Sequence, residues 1–432
     1  MFFILASIEG CHPKVDPPVT VKLLQQDWVP PDDLPAIKAL TEEIGHEVGV
    51  RLEMIRGVPA ETRDQLSFVR TQLQQRAAGP DVIEIDEPWL GTLREDLVDL
   101  RPYFPGEASS MSQMISSSYV VDGKLLAVPY HNQAGALEYR ADLLRKYGYH
   151  HAPRTWTELE TMALRIQKGE RQQGNRNFWG YIWPGAAEES LTCNALEWQA
   201  DEGGGRIIEG DGTISVNNPA AVHAWERARR WIGWISPPSV TEYREVDTKN
   251  AFEAGRTAFV RVWVGEAGVL ATRSRPELRA VNWWNPARVG EAGFAVMPAG
   301  SVAQVAVLGG AGVAISRYSK HPKEDAALIR FVRRKELESF REKSAYLQWV
   351  IYDAPDAKRT VHPSLAGNPS RAIVISRPTE ISAPNYAEVS NEYSKAVHSV
   401  LTGEKKAPDA AAELEQVLSK ITGLHRGPPV AK

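Results

Sequence analysis

The sequence predicts an α/β protein of two lobes, and three observations carry that expectation. The chain has 432 residues, more than one hydrophobic core ordinarily serves. Its first hundred residues alternate strand-like and helix-like patterns, the mark of an α/β lobe with a largely parallel sheet. The third is the stretch from Asp122 to Tyr149, DGKLLAVPYHNQAGALEYRADLLRKYGY. It sets a polar, aromatic-flanked patch between two ordered segments, as a chain does when it passes between lobes and lines the cleft they form. Spacing alone also fits an ordinary hairpin with a polar tip.

In chain order, Val19–Gln25 is the first strand candidate. Residues 33–48 follow as a helix with Leu34, Ile37, Leu40 and Ile44 on one face. Val50–Ile55 is the next strand. Thr62–Ala78 is a helix carrying Leu66, Val69 and Leu73, and Gly79-Pro80 stops it. Asp81–Asp86 closes the pattern as a strand, with Pro88-Trp89 just past its end. Ligands in open α/β sheets sit outside the carboxyl ends of strands, which singles out Asp86 and, after the first strand, Trp28. Asp86 also has a plain structural reading, as the cap of the helical turn that follows it.

At Asp122-Gly123 a tight turn is expected, since glycine tolerates left-handed backbone. The apolar run Leu125–Val128 ends at Pro129, His131-Asn132-Gln133 interrupts it, and a second run spans residues 135–139. Thr155 and Glu158 form the S/T-x-x-E signature of a helix start, running to Gln172. Asn218-Pro219 starts another helix, with Val222, Trp225, Trp231 and Ile232 on it and Arg227, Arg229 and Arg230 as a solvated face. Residues 246–259 read as helix, then strand. Residues 293–298, GFAVMP, read as a second crossing, and residues 305–316 as an apolar strand pair around a glycine turn. A helix follows over 324–342, a third crossing is placed near 346–353, and two helices end the chain, the last started by Pro408.

Composition narrows the function classes. A net charge of −4 without a Lys/Arg block gives no case for nucleic acid as a partner. Two cysteines, Cys11 and Cys193, make neither a disulfide framework nor a metal cluster. The zinc-protease, Walker and nucleophile-elbow motifs are absent from the sequence, so neither metal nor cofactor is expected. Thirteen tryptophans suit large cores and also flat apolar faces for a ligand. No apolar run reaches membrane-spanning length.

Several stretches, in order, resemble the extracellular solute-binding proteins of ABC importers, nearest the trehalose/maltose type. Gly123, Lys124, Leu125, Ala127, Val128, Pro129 and Tyr130 match the family's crossing, as do Ala134, Gly135, Tyr139, Arg140, Asp142, Leu143, Leu144, Lys146, Tyr147 and Gly148. Pro80, Asp81, Val82, Asp86 and Trp89 match its P-D-V-x-x-x-D pattern followed by Trp. Residues 183–198, WPGAAEESLTCNALEW, resemble W-Q-G…E-G-L-T-C-N…L-E, with Glu189 on the ligand side and Cys193 a small buried residue. Residues 252–263 resemble F-x-x-G-x-A-A-F-M-R-N-W, matching at Arg261 and Trp263. Arg377, Pro378, Pro384, Tyr386, Glu388, Ser390 and Asn391 match a further motif near the C-terminus.

The resemblance implies the type II periplasmic-binding-protein fold, two α/β lobes joined by a hinge of several crossings. The expected division is a signal-like segment and tether over 1–18, a first lobe over 19–127 and 298–349, and a second over 128–297 and 350–426. It implies a monomer outside the cytoplasm that binds a sugar or polyol and delivers it to membrane permease subunits, without enzymatic chemistry. The expected ligand set is Trp28, Asp86, His131, Gln133, Glu189, Trp263 and Arg377. Three positions depart from the family's sugar contacts. Gln133 replaces an aspartate, Ala311 a tryptophan and Gly265 a tyrosine. Residues 1–11, MFFILASIEGC, resemble a lipoprotein signal with Cys11 as the acylated residue, though they lack a basic start and carry Glu9; a frayed apolar terminus is the plainer reading. Two other functions stay open, a ligand-sensing receptor domain and a carbohydrate-active hydrolase. The hydrolase needs paired carboxyl groups such as Asp86 and Glu189.

Overall fold

A computed structural model describes residues 18–24, 34–59, 62–111, 118–264, 292–343, 372–379 and 381–429. Trp28, Cys11, Gly265 and the third crossing expected near 346–353 lie outside the described residues, as does the side chain of His131.

Eleven strands organise the described chain. The N-terminal alternation is as expected. β1 (Thr20–Leu24), β2 (Arg51–Ile55) and β3 (Val82–Asp86) pair in parallel, with β1 in the centre. Helices α1 (Leu34–Glu47) and α2 (Thr62–Gln74) connect them. Ile44, Leu66, Val69 and Leu73 bury against Val21, Leu23, Val82 and Ile85 to form one core, as their helical and alternating spacings require. A hairpin of β4 (Val120–Val121) and β5 (Lys124–Leu125) turns at Asp122-Gly123, where both residues have positive φ (50° and 71°).

The interrupted crossing proves to be a single strand, β6 (Val128–Arg140). The polar triplet does not break it because its backbone groups pair with a distant strand. Gln133 faces Gly309, Asn132 faces Gly310 and His131 faces Ala311. Pro129, which has no N–H to offer, is accommodated where the register shifts by a bulge. Past it come a helix, α3 (Trp156–Gln172), and β7 (Trp179–Ile182). Then follow α4 (Glu189–Asp201), α5 (Pro219–Trp231) and α6 (Glu245–Glu253), and β8 (Thr257–Val264) returns to pair with β6. The two predicted caps form. Thr155 accepts from the Glu158 amide, and Asn218 accepts from the amides of Ala220 and Ala221.

β9 (Ala292–Val296) corrects the expected second crossing at 293–298. It pairs antiparallel with residues 136–140 of β6, wholly beside the larger core. The returning strand is β10 (Gln304–Ile315), which is one continuous strand and not a pair around a glycine turn. Its Val305 and Val307 belong to the larger core, and its Val313, Ala314 and Ile315 to the smaller. β6 runs the other way, with Val128 in the smaller core and Leu137 and Tyr139 in the larger. The sheet order β2-β1-β3-β10-β6-β8-β7 therefore joins two cores through two long antiparallel strands. β11 (Ala372–Ile375) pairs in parallel with residues 304–307 of β10. Helix α7 (Pro322–Lys343) packs on the smaller core, and α8 (Tyr386–Thr402) with α9 (Ala407–Thr422) on the larger.

The larger core absorbs most of the described tryptophans. Trp156, Trp183, Trp198, Trp225 and Trp231 are fully buried. Trp183 meets Trp198 edge-on with centroids 5.0 Å apart, and Trp198 meets Trp231 at 5.7 Å. Arg227, expected on a solvated face, is buried instead. Its guanidinium pairs with Asp201 and Glu202 and lies over the rings of Trp156 and Trp231. Arg229 and Arg230 are exposed as expected.

Candidate functional site

The two long strands bring the candidate residues onto one face of the sheet. Successive side chains alternate between faces, so residues two apart share one. Asp86 at the end of β3 stands opposite Ala311, and Ala311 opposite His131. Gly309 pairs with Gln133, and Gly135 with Trp263. Asp86, Ala311, Gly309, Gln133, Gly135 and Trp263 therefore form a band across the seam between the cores. Two of its members are glycines whose missing side chains make room for neighbours, Gly135 for Glu197 and Arg261 and Gly309 for the Trp263 ring.

Trp263 is half-buried and held from behind. A Cβ on Gly309 would lie 2.7 Å from its ring, so the indole reaches across β6 onto a site only glycine provides. The Arg261 guanidinium stacks 3.8 Å from the ring centroid. Arg261 is itself fixed. Its Nη2 donates to Glu197 Oε1 at 2.8 Å and its Nε to Oε2 at 3.2 Å, and Glu197 Oε1 also accepts the Val307 amide at 3.1 Å. Arg261 precedes Trp263 by two residues on β8, on the side of the larger core. Gln133, Ala311 and Asp86 stand on the same face of the sheet as the ring, by the register of β3, β10, β6 and β8. At the ring's edge, Trp263 Nε1 donates to Glu245 Oε1 at 2.8 Å.

Gln133 is 7% exposed, yet its side-chain amide bonds none of the described residues. A buried amide normally finds a partner.

Arg377, just after β11, ties the band to the second core. Its Nη2 donates to Asp86 Oδ1 at 2.9 Å and to Glu87 Oε1 at 3.2 Å, and its Nη1 donates to Glu189 Oε1 at 2.9 Å. Asp86 and Glu87 end β3 of the smaller core, and Glu189 opens α4 of the larger. Glu189 also accepts from Tyr386 and Ser390, each at 2.5 Å. Asp86 occupies the N-cap position of the turn Glu87–Trp89 but makes no capping bond, so its structural alternative is not realised. Burial raises the Asp86 carboxyl above its usual range against the pull of Arg377, and burial lifts Glu87 to about 7. Arg377 Nε is buried and engages none of the described residues.

Of the seven expected ligand residues, the structure brings together Asp86, Gln133, Glu189, Trp263 and Arg377. His131 takes its register position, and Trp28 is outside the described residues. Sequence reading missed Glu87, Glu245, Tyr386 and Ser390 as site residues, and the Arg261–Glu197 pair behind the ring. The family resemblance had marked Arg261, Glu197, Tyr386 and Ser390 only as motif matches. Glu245 carried no signal, because its role depends on β8 arriving beside it. Cys193 is buried in α4, its thiol raised well above the usual range by burial, which suits packing and not reactivity.

A family model described as bacterial extracellular solute-binding protein matches residues 49–337. A protein of Deinococcus radiodurans named "Probable ABC transporter-binding protein" is 38% identical over 374 residues, spanning 85% of this chain and 86% of that protein. Among solved structures, maltose-bound MalE3 of T. maritima superposes with a TM-score of 0.74 at 28% identity, over 93% of this chain and all of that one. A ribitol complex of a solute-binding protein from Agrobacterium radiobacter superposes with a TM-score of 0.68 at 21% identity, over 93% of this chain and 98% of that one. The latter likeness speaks to the fold alone.

Proposed function

The chain belongs to the bacterial extracellular solute-binding proteins, and from that premise we propose that it is the extracytoplasmic binding component of an ABC transporter, holding a sugar or polyol in the cleft between its lobes. The observation that carries this reading is the Trp263 ring. Arg261 stacks on it, and it shares one face of the sheet with Gln133, Ala311 and Asp86. An aromatic face takes the C–H side of a sugar, while amide and carboxylate groups pair with hydroxyls. Gly309 makes room for the ring and Ala311 carries only a methyl, so among the described members of the band stacking rests on Trp263. Maltose in the T. maritima neighbour, with ribitol and D-mannitol in others, sets the class of compound to try.

The lobes proposed are residues 19–127 with 298–349, and 128–297 with 350–426. The membership of Val305 and Val307 in the larger core favours moving the second boundary into β10. Closure by bending of β6 and β10 then hands the ligand to permease subunits. The protein acts as a monomer, tethered outside the membrane through an acylated Cys11. A hydrolytic reading is disfavoured by one contact. Asp86 and Glu189, the carboxyl pair expected for such chemistry, both bind the same guanidinium of Arg377, which leaves neither placed as a free acid or base.

A thermal-shift screen against maltose, D-mannitol, ribitol and tagatose tests the reading. A ligand at a hundredfold excess over its Kd adds about 2.7 kcal/mol to the folded state and raises the melting temperature. Unchanged melting with every compound at millimolar concentration would refute a site for these sugars and polyols.

A further inference from the structure

Glu245 opens α6 and is exposed, yet it is not loose. Its Oε1 accepts two bonds, from Trp263 Nε1 at 2.8 Å and from Ser190 Oγ at 2.7 Å. Ser190 sits in the first turn of α4, next to Glu189, so the carboxylate is anchored to the element that also carries the Arg377 network. Its Oε2 meets none of the described residues. A carboxylate can accept about four hydrogen bonds, so half its capacity is unspent at the edge of the one ring the band offers. The buried Gln133 amide likewise bonds none of the described residues. Gln133 and Trp263 stand on the same face of the sheet, and Glu245 meets that face at the indole nitrogen.

We propose that Glu245 is a ligand-binding residue of this cleft: Oε1 fixes the tilt of the Trp263 indole, and Oε2 accepts a hydroxyl of the sugar or polyol lying on that ring. This rests on the ligand class proposed above. It makes Glu245 a specificity residue, because the ring and the acceptor move as one body. A ligand must present an apolar C–H face and an adjacent hydroxyl donor in a fixed relation. A compound with only one of these meets half the site. Charge assistance makes such an acceptor stronger than a neutral one.

Two substitutions separate the roles. In Glu245→Gln the amide oxygen still accepts from Trp263 and Ser190, but the outward atom becomes a donor. In Glu245→Ala both functions go. Calorimetric titration with maltose and with D-mannitol is expected to show binding weakened about tenfold in Glu245→Gln and about a hundredfold in Glu245→Ala. In parallel, the Trp263 indole N–H resonance of ligand-free protein, identified by its loss in Trp263→Phe, is expected to move in Glu245→Ala and to stay near its place in Glu245→Gln. Wild-type affinity in Glu245→Ala overturns the proposal. If wild-type protein binds neither sugar nor polyol, the ligand class falls, and the indole resonance decides the rest. An unmoved resonance in Glu245→Ala overturns the proposal, and a moved one upholds Glu245 as the residue that positions the ring.

Discussion

Replacing Arg377 by methionine removes the one cation among the described residues shared by Asp86, Glu87 and Glu189 while keeping most of the side chain's volume. Arg377 is 4% exposed, and its two terminal nitrogens donate four bonds to those carboxylates at 2.9–3.4 Å. The Asp86 and Glu87 carboxyls gain hydrogen-bond and Coulomb compensation from it, and both are raised by burial despite it. Without it Asp86 and Glu87 lose their guanidinium partner, while Glu189 keeps its bonds from Tyr386 and Ser390. Breaking a buried pair in this way costs about 3–5 kcal/mol. The loss depends on pH, and its sign follows from the raised values. A carboxyl with a folded pKa above its unfolded one binds its proton more tightly in the folded state. It favours folding fully below the unfolded pKa and loses that contribution as pH rises through the folded pKa. Glu87 stands at about 7 against an ordinary 4.5, and removal of the cation pushes it and Asp86 higher still. At pH 5 Glu87 in the variant is therefore largely neutral and less costly to bury. Urea denaturation is expected to show about 3–5 kcal/mol lost at pH 8 and roughly half that at pH 5. A loss below about 1 kcal/mol at pH 8, or an equal loss at both pH values, would refute the argument that the guanidinium compensates these charges.

Gly135→Ala is expected to cost about 3 kcal/mol or more, because its Cβ would press on Glu197 Oε1 and lie 2.7 Å from Arg261 Nη2, displacing a buried ion pair; wild-type stability in urea would show that the pair can shift freely. In wild-type protein, Glu87 and Asp201 at about 7 and Glu138 at about 8 are all raised chiefly by burial, so the melting temperature should fall as pH rises from 5 to 8.5. A flat or rising profile over that range contradicts the burial of these carboxyls. The radius of gyration from small-angle scattering should shrink on saturation with a sugar that binds, since two long strands, β6 and β10, join the cores and can bend as a hinge; an unchanged profile marks a rigid cleft.

The features legible in the sequence share one property: their causes are local. The Asp122-Gly123 turn, the Thr155 and Asn218 caps, and the amphipathic face of α2 are each decided within a few residues. Asp86 at the end of β3 was also readable, because a strand's end follows from its apolar run. What the sequence could not decide were arrangements whose partners lie far along the chain. His131-Asn132-Gln133 reads as a break until β10 arrives, more than 170 residues later, to pair with its backbone. Gly309-Gly310 reads as a turn by composition, whereas Gly309 makes room for the Trp263 ring within a continuous strand. Arg227 looks like a surface cation in its own helix and becomes a buried one only because Asp201 and Glu202 meet it from the end of α4. Glu245 gains its place only when β8 lays Trp263 against it. Helical and strand periodicities record which face is buried, but not what it is buried against. The identity of that neighbour comes from the closing of long loops, and tertiary packing alone decides it.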